Sequence, residues 1–289
     1  MTSPRQNRVD AHHHLWSYNP AEYGWISDDM DLLRRDFRPE HFKEEIDDVG
    51  IGGAVTVQAR QSLAETDWLL ELAGAYGFIR GVVGWVPLGD PHVPRLLERY
   101  ATNAKLKGVR HSLQDEPDDR YMLRDDFNRG VAALAPLDLV YDILILDHQL
   151  PTTISFVDRH PQQVFVLDHL AKPRVRDAAL SPWRENLKEL ARRPNVYCKL
   201  SGLVTEAPWR GWRETDLRPY LDAAIEAFGA ERLMFGSDWP VSRLACEYRR
   251  WFNIVNRAVA GLTEMELARV FGGTAIEVYR LERSSRDPD

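Results

Sequence analysis

The chain has 289 residues and a formal net charge of −7, without a long basic block. This balance argues against binding to a nucleic-acid backbone as the main function. With only two cysteines, Cys198 and Cys246, a disulfide framework is not expected. The chain contains neither an apolar leader nor a run of roughly 18 apolar residues. We therefore expect one domain over residues 1–289, cytoplasmic and away from membranes, with a small-molecule partner.

Strand-like segments alternate with amphipathic helix-like segments along the chain. A long irregular segment, residues 17–38, follows the first strand and is long enough to be a binding loop. Apolar strands that alternate with helices indicate a parallel sheet buried on both faces. The predicted strands are Val9–Trp16, Gly53–Ala59, Gly81–Leu88, Leu106–Leu113, Leu139–Leu146, Val164–Leu170, Val196–Gly202 and Leu233–Asp238. The predicted helices are Pro39–Val49, Glu65–Tyr76, Val93–Ala101, Asp125–Leu134, Pro151–Arg159, Pro182–Arg192, Leu217–Phe228, Glu247–Ala258 and Glu264–Val270.

Eight such strand–helix units match the α/β fold class, as a single (β/α)8 TIM barrel with a long loop after strand one. An open doubly wound sheet is the alternative, but no GxGxxG motif follows the first strand. The charged end of the chain, Ser284–Asp289, is predicted to be a disordered tail.

The stretch Val9–Trp16 contains three consecutive histidines. On a strand, side chains alternate between faces, so Asp10, His12 and His14 are predicted to share one face. Imidazoles two residues apart suit convergence on a metal ion or on a reacting carbonyl. A tag remnant and a purely structural role are the alternatives, and the strand-like flanks argue against the first.

Active sites of such barrels lie at the carboxyl ends of the strands, which selects further candidates. Asp238 is expected to be a general base or a metal ligand, with helix capping as the alternative. His169 is expected to join it, with a structural pairing to Asp168 as the alternative. Cationic side chains at strand ends can hold substrate oxygens, and aromatic rings can stack on a sugar ring. The candidate binding residues are Arg60, Arg110, His111, Lys172, Trp25 and Trp85.

Several motifs together resemble the amidohydrolase-2 branch of the amidohydrolase superfamily. The closest similarity is to its sugar lactonases, the group of L-fuconolactonases and L-rhamnonolactonases. The motifs are Asp-Ala-His-His-His-Leu-Trp (10–16), Arg-Asp-Phe (35–37), Val-Gln-Ala-Arg (57–60), Gly-Val-Arg-His (108–111), Leu-Asp-His-Leu-Ala-Lys-Pro (167–173), Lys-Leu-Ser-Gly-Leu (199–203) and Phe-Gly-Ser-Asp-Trp-Pro (235–240).

The resemblance implies a lactone-hydrolysing barrel. His12 and His14 match the strand-one pair, His169 matches the strand-six histidine, and Asp238 matches the strand-eight aspartate. One divalent ion, zinc or manganese, held by His12, His14 and Asp238 is compatible with this pattern, and so is metal-independent catalysis. Two-metal members carry a bridging lysine at the end of strand four, where this chain has Arg110. A two-metal centre is therefore not expected.

The resulting hypothesis is hydrolysis of a sugar-acid lactone by water, with Asp238 as general base and a pKa between that of a free carboxylate and neutrality. His12, His14 and His169 would stabilise the oxyanion. A metal-dependent decarboxylase of the same superfamily and a non-catalytic small-molecule-binding barrel are the alternatives. Homo-oligomerisation is left open.

Overall fold

A computed structural model describes residues 7–281 of the chain, so the predicted tail at 284–289 lies outside the described residues. Eight strands form one parallel sheet in the order in which they occur along the chain. The strands are β1 (Val9–His13), β2 (Gly53–Val57), β3 (Ile79–Gly84), β4 (Leu106–Ser112), β5 (Val140–Leu144), β6 (Phe165–Leu167), β7 (Val196–Leu200) and β8 (Leu233–Phe235).

Helices follow the strands and form the outer layer. In the described part of the chain they are α1 (Pro39–Val49), α2 (Leu63–Ala75), α3 (Val93–Ala101), α4 (Asp125–Ala132), α5 (Leu150–Asp158), α6 (Trp183–Ala191), α7 (Leu203–Glu206), α8 (Glu214–Phe228), α9 (Tyr248–Ala258), α10 (Glu264–Ala268) and α11 (Thr274–Val278). None of the helices within residues 7–281 combines the length and the apolar composition that a membrane span requires.

Backbone hydrogen bonds between the carboxyl end of β1 and the segment that follows β8 close the barrel. The amide of His14 donates to the carbonyl of Trp239 at 2.7 Å, and the amide of Asp238 donates to the carbonyl of His12 at 2.8 Å. The chain therefore forms the predicted (β/α)8 barrel, and its closing seam brings the histidine motif next to Asp238.

An apolar cluster from most of the strands fills the barrel below this seam. Val9, Ala11, Val55 and Val166 belong to it, and α11 packs against it at the amino-terminal end. Because most of these side chains are valine or alanine, they fit the narrow interior, and the imidazoles and Asp238 lie above them at the carboxyl ends of the strands.

The pairing of β1 with β2 shifts in register between Asp10 and His13. Val9 and Ala11 lie in the interior cluster, whereas Asp10 accepts hydrogen bonds from the Ser237 amide and the Tyr248 hydroxyl of α9. Strict alternation wrongly placed Asp10 on the face of His12 and His14. The irregularity in the strand turns the histidines inward and Asp10 toward the outer layer.

The long segment 17–38 both packs on the barrel and contributes to its mouth. The Tyr23 side chain is buried and its hydroxyl donates to Glu65 Oε1 at 3.1 Å. Trp25 packs edge-on against the buried Trp16, with ring centroids 5.7 Å apart, and stays 38% exposed. The loop is therefore fixed at Tyr23 and presents Trp25 above the barrel.

Candidate active site

Three imidazoles surround the carboxylate of Asp238 at the carboxyl end of the barrel. The Oδ1 atom of Asp238 lies 3.3 Å from His14 Nε2, 3.7 Å from His12 Nε2 and 3.8 Å from His169 Nε2. All four side chains are almost completely buried. The structure thus brings together the four residues that the sequence predicts for the centre of the site.

Contacts of the Nδ1 atoms orient the imidazoles of His14 and His169. His14 Nδ1 donates to the Val57 carbonyl at 2.8 Å, which directs its Nε2 toward Asp238. His169 Nδ1 lies 2.9 Å from Ser201 Oγ. Gly202 allows His169 to approach, since a Cβ at this position would lie 2.3 Å from His169 Nδ1. Glycine also suits the positive φ of this residue, 63°.

Four consecutive non-glycine residues after β6 adopt left-handed backbone conformations. Their φ values run from 47° to 59° over residues 169–172. Each such residue is disfavoured by roughly 1–2 kcal/mol, so surrounding contacts must hold the run, among them the hydrogen bond from Trp183 Nε1 to the Leu170 carbonyl at 2.7 Å. It turns the chain so that both His169 and Lys172 face the cavity described below. This turn also ends β6 three residues earlier than the sequence predicts.

A layer of buried charges lies directly beneath the imidazoles. Lys199 Nζ contacts Asp142 Oδ2 at 2.5 Å and Asp168 Oδ1 at 3.0 Å, and neither of these side chains nor that of Lys199 is exposed. Arg110 Nη1 donates to Asp168 Oδ2 at 2.9 Å, and the Tyr279 hydroxyl donates to Asp142 at 2.8 Å. Each buried charge therefore has an opposite charge or a hydrogen-bond donor beside it.

Burial and these charges set the protonation of the acids. Burial would raise the pKa of Asp168, but Lys199, His12 and Arg110 hold that pKa well below its usual value. Burial raises the pKa of Asp142 to about 6, although Lys199 opposes this effect. Asp168 is therefore the firmly ionised partner of Lys199.

Burial and neighbouring groups also set the protonation of the central residues. Burial would raise the pKa of Asp238, but His169, His14 and Lys172 outweigh it and lower that pKa below its usual value. The expected position between a free carboxylate and neutrality is therefore wrong, because neighbouring groups favour the carboxylate. Burial lowers the pKa of His12 well below its usual range and that of His169 to about 4. At neutral pH both imidazoles are neutral.

A cavity of about 560 Å³ opens above this centre. His14, His169 and Asp238 form part of its floor, while Trp25 and Trp209 contribute to its wall. This volume lies within the range of about 300–1,000 Å³ that is usual for small-molecule sites. The cavity is large enough for a single sugar ring.

Several predicted binding residues line this cavity. Lys172 and Trp25 are among its lining residues. Arg60 also lines it and pairs with Glu22 at 2.6 Å. Arg110 contributes to the lining, but its guanidinium is engaged with Asp168. It therefore belongs as much to the charged layer below as to the cavity.

Trp85 and His111 do not line the cavity, in contrast to the sequence interpretation. On β4, Arg110 points into the barrel, so the next side chain points outward. His111 stacks on Tyr121 and bonds Glu116 at 2.6 Å, and the Trp85 indole donates to its Nδ1. We therefore remove both from the site.

Lys199 and Asp142 were missed as site residues. Both lie within otherwise apolar strands, Val-Tyr-Cys-Lys-Leu and Val-Tyr-Asp-Ile-Leu. A charged residue in a strand that is buried on both faces needs a partner, and this was the signal available in the sequence.

The residues at the centre fit a single divalent ion. His12, His14 and Asp238 each present one ligand atom, and these atoms lie within 4.8 Å of one another. Two imidazole nitrogens with one carboxylate oxygen form a usual donor set for catalytic zinc. At the strand-four position where two-metal members carry a lysine, the guanidinium of Arg110 is a donor and not a ligand. His148, the histidine that follows β5, does not join this centre: its side chain is half-exposed, and its Nε2 lies 3.0 Å from Asp119 Oδ1.

Comparisons with known proteins agree with this architecture. The amidohydrolase family model matches residues 9–281. An L-fucono-1,5-lactonase of Burkholderia multivorans is 46% identical over 95% of this chain and 96% of its own length. An L-fucono-1,5-lactonase of Burkholderia ambifaria is 36% identical over 97% of this chain and 98% of its own length.

A solved amidohydrolase structure from Burkholderia multivorans with bound zinc superposes with a TM-score of 0.91 at 45% identity. The superposition covers 95% of this chain and 99% of that chain. The match of the family model over nearly the whole barrel, together with these identities, shows that the chain belongs to the amidohydrolase family.

Proposed function

We propose that the protein opens the lactone ring of a sugar acid with water, that L-fucono-1,5-lactone or a close stereochemical relative is the substrate, and that Asp238 is the general base. The observation that carries this proposal is the placement of one carboxylate, whose pKa is lowered, among three buried imidazoles at the floor of a sugar-sized cavity. The curated relatives, which are hydrolases of a cyclic ester, support the substrate class.

Asp238 takes a proton from water, which attacks the lactone carbonyl, and then returns this proton to the departing ring oxygen. Its lowered pKa keeps it in the carboxylate form that accepts the proton. His169 lies 3.8 Å from Asp238 Oδ1 and is held by Ser201, so it is placed to donate to the developing oxyanion.

The residues that line the cavity support binding of a sugar lactone. Lys172 and Arg60 provide hydrogen-bond donors for hydroxyl groups and for the product carboxylate. Trp25 provides an aromatic face for a pyranose-like ring. A divalent ion held by His12, His14 and Asp238 would polarise the carbonyl when bound.

The test is proton release from a panel of aldono-1,5- and 1,4-lactones, measured with a pH indicator above the spontaneous rate, before and after chelation and with added Zn²⁺. We expect turnover of 6-deoxy or related hexonolactones. A rate no higher than background with every lactone would refute the proposal, and carbon dioxide release from an aromatic acid would favour the decarboxylase.

The variant Asp238→Asn keeps the size of the side chain and removes the base. We expect kcat to fall by about 10²–10⁴, the usual contribution of a general base, with little change in fold. Asp147→Asn is the matched control, because Asp147 also follows a strand but pairs with Arg174 outside the cavity lining. Near-normal turnover of Asp238→Asn would exclude Asp238 as the base.

A further inference from the structure

The proton positions on the two strand-one histidines follow from their partners. His14 Nδ1 lies 2.8 Å from the Val57 carbonyl, which can only accept a hydrogen bond. His14 Nδ1 therefore carries a proton. In its neutral form, His14 presents an unprotonated Nε2 toward His12 and Asp238.

His12 Nδ1 lies between a donor and an acceptor. Lys199 Nζ is 3.1 Å away with hydrogen-bonding geometry, and Asp168 Oδ1 is 3.3 Å away. The ammonium has hydrogen-bonding geometry toward Asp142 Oδ2 and His12 Nδ1, and it forms an ion pair with Asp168 Oδ1 at 3.0 Å. Since an ammonium only donates, His12 Nδ1 accepts from Lys199 and the imidazole proton lies on Nε2.

Two of the remaining contacts of His12 favour this tautomer. A proton on Nε2 faces two acceptors, His14 Nε2 at 3.1 Å and Asp238 Oδ1 at 3.7 Å. The opposite tautomer would instead donate from Nδ1 to Asp168 Oδ1 at 3.3 Å and accept at Nε2 from Arg110 Nη1 at 3.4 Å, both longer than the 3.1 Å contacts of His12 with Lys199 and His14. It would also place an N–H against the Lys199 ammonium and two lone pairs 3.1 Å apart.

We propose that Lys199 is a positioning residue that holds the proton of His12 on Nε2 in the metal-free protein and thereby weakens divalent-ion binding by His12, His14 and Asp238. That proton points into the space between the three ligand atoms. To ligate an ion through Nε2, His12 would have to carry its proton on Nδ1, where it would donate a hydrogen bond to Asp168 Oδ1, and it would lose the hydrogen bond from Lys199. No proton is gained or lost overall. The strength of the Lys199 contact therefore sets how readily the centre takes an ion.

The first test is ¹⁵N NMR of the metal-stripped full-length protein labelled at histidine, with the His12 signals assigned from the spectrum of His12→Asn. We expect a protonated, pyrrole-type Nε2 and an unprotonated, pyridine-type Nδ1. A protonated Nδ1 on His12 in the metal-free wild type would overturn the proposal, whatever the behaviour of any variant.

The second test compares the wild type with a double variant that has the same net charge in the buried layer. The double variant Asp142→Asn/Lys199→Met removes one charge of each sign, and Tyr279 can still donate to the new amide oxygen. We expect its His12 proton to move to Nδ1, and its affinity for Zn²⁺, measured by competition with a chromophoric chelator, to rise about ten-fold or more. This is the effect of one charge-assisted hydrogen bond.

Asp142→Asn alone is the control, because it alters the layer but keeps Lys199 beside His12. We expect it to keep the wild-type tautomer. Equal Zn²⁺ affinity of the wild type and the double variant, or an unmoved His12 proton, would contradict the proposal. Both readouts are independent of lactone turnover, so they separate this inference from the proposed activity.

Discussion

The rim of the cavity and the charged layer beneath its floor both contain ion pairs, but they differ in their exposure to water. At the rim, Arg60 and Glu22 are 2.6 Å apart, with side chains 23% and 45% exposed. In the layer, Lys199 and its two carboxylate partners are completely buried. Exposed pairs contribute about 0–1 kcal/mol, whereas removing one partner of a buried pair costs about 3–5 kcal/mol. Rim residues are therefore free to adapt to a substrate, and layer residues are not.

The largest effect is expected for Lys199→Met, which leaves Asp142 and Asp168 without their shared cation. We expect the free energy of unfolding, measured by urea denaturation, to fall by about 3–5 kcal/mol. The double variant Asp142→Asn/Lys199→Met should recover part of this loss, since one uncompensated carboxylate is removed. If the double variant were less stable than Lys199→Met, charge compensation would not be what stabilises the layer.

This contrast also explains which features were predictable from the sequence. The eight strands and the central residues His12, His14, His169 and Asp238 were predictable, because strand–helix alternation predicts the barrel and the barrel predicts where its site lies. Whether the His111 side chain points into or out of the barrel was not predictable, since it depends on the register of β4. The left-handed run at residues 169–172 carries no glycine and is held by tertiary contacts, including the hydrogen bond from Trp183 Nε1 to the Leu170 carbonyl.

Glu65 is a buried acid beside the rim residue Arg60 and provides a pH-dependent test. It is buried and accepts hydrogen bonds from the Ala59 and Arg60 amides at 2.9 Å and from Tyr23. Burial raises the pKa of Glu65 to about 7, against 4.5 in an unperturbed side chain. The folded protein therefore keeps a proton that the unfolded chain releases, and stability falls as pH rises from about 4.5 to 7.

We expect Glu65→Gln to remove this component, because glutamine can accept from both amides and donate to Tyr23. Between pH 5 and pH 8 the wild type should lose up to about 3 kcal/mol more unfolding free energy than the variant. Other buried acids, such as Asp10, titrate in both proteins and cancel in the difference. Parallel pH profiles would show that Glu65 does not titrate in this range.

A substitution at Gly202 tests whether the floor of the cavity requires the close approach of this backbone to His169. Gly202→Ala places a Cβ 2.3 Å from His169 Nδ1, and we expect kcat/KM to fall by up to about 100-fold because His169 is displaced. Gly211→Ala is the matched control, since Gly211 has a φ of 82° but no atom near its added Cβ. Both should lose about 1 kcal/mol of stability from backbone strain. An equal loss of activity in both would assign the effect to strain.

The smallest effect is expected at the rim. In Glu22→Gln, Arg60 loses its closest carboxylate but stays over the Tyr23 ring, 5.3 Å from its centroid, and 3.8 Å from Glu65. We expect the unfolding free energy to change by less than about 1 kcal/mol, and the difference to shrink further in high salt. The change in KM for the lactone should be small for the same reason. A loss of stability comparable to that of Lys199→Met would mean that the rim pair is coupled to the buried layer, and the distinction between an adaptable mouth and a fixed floor would fail.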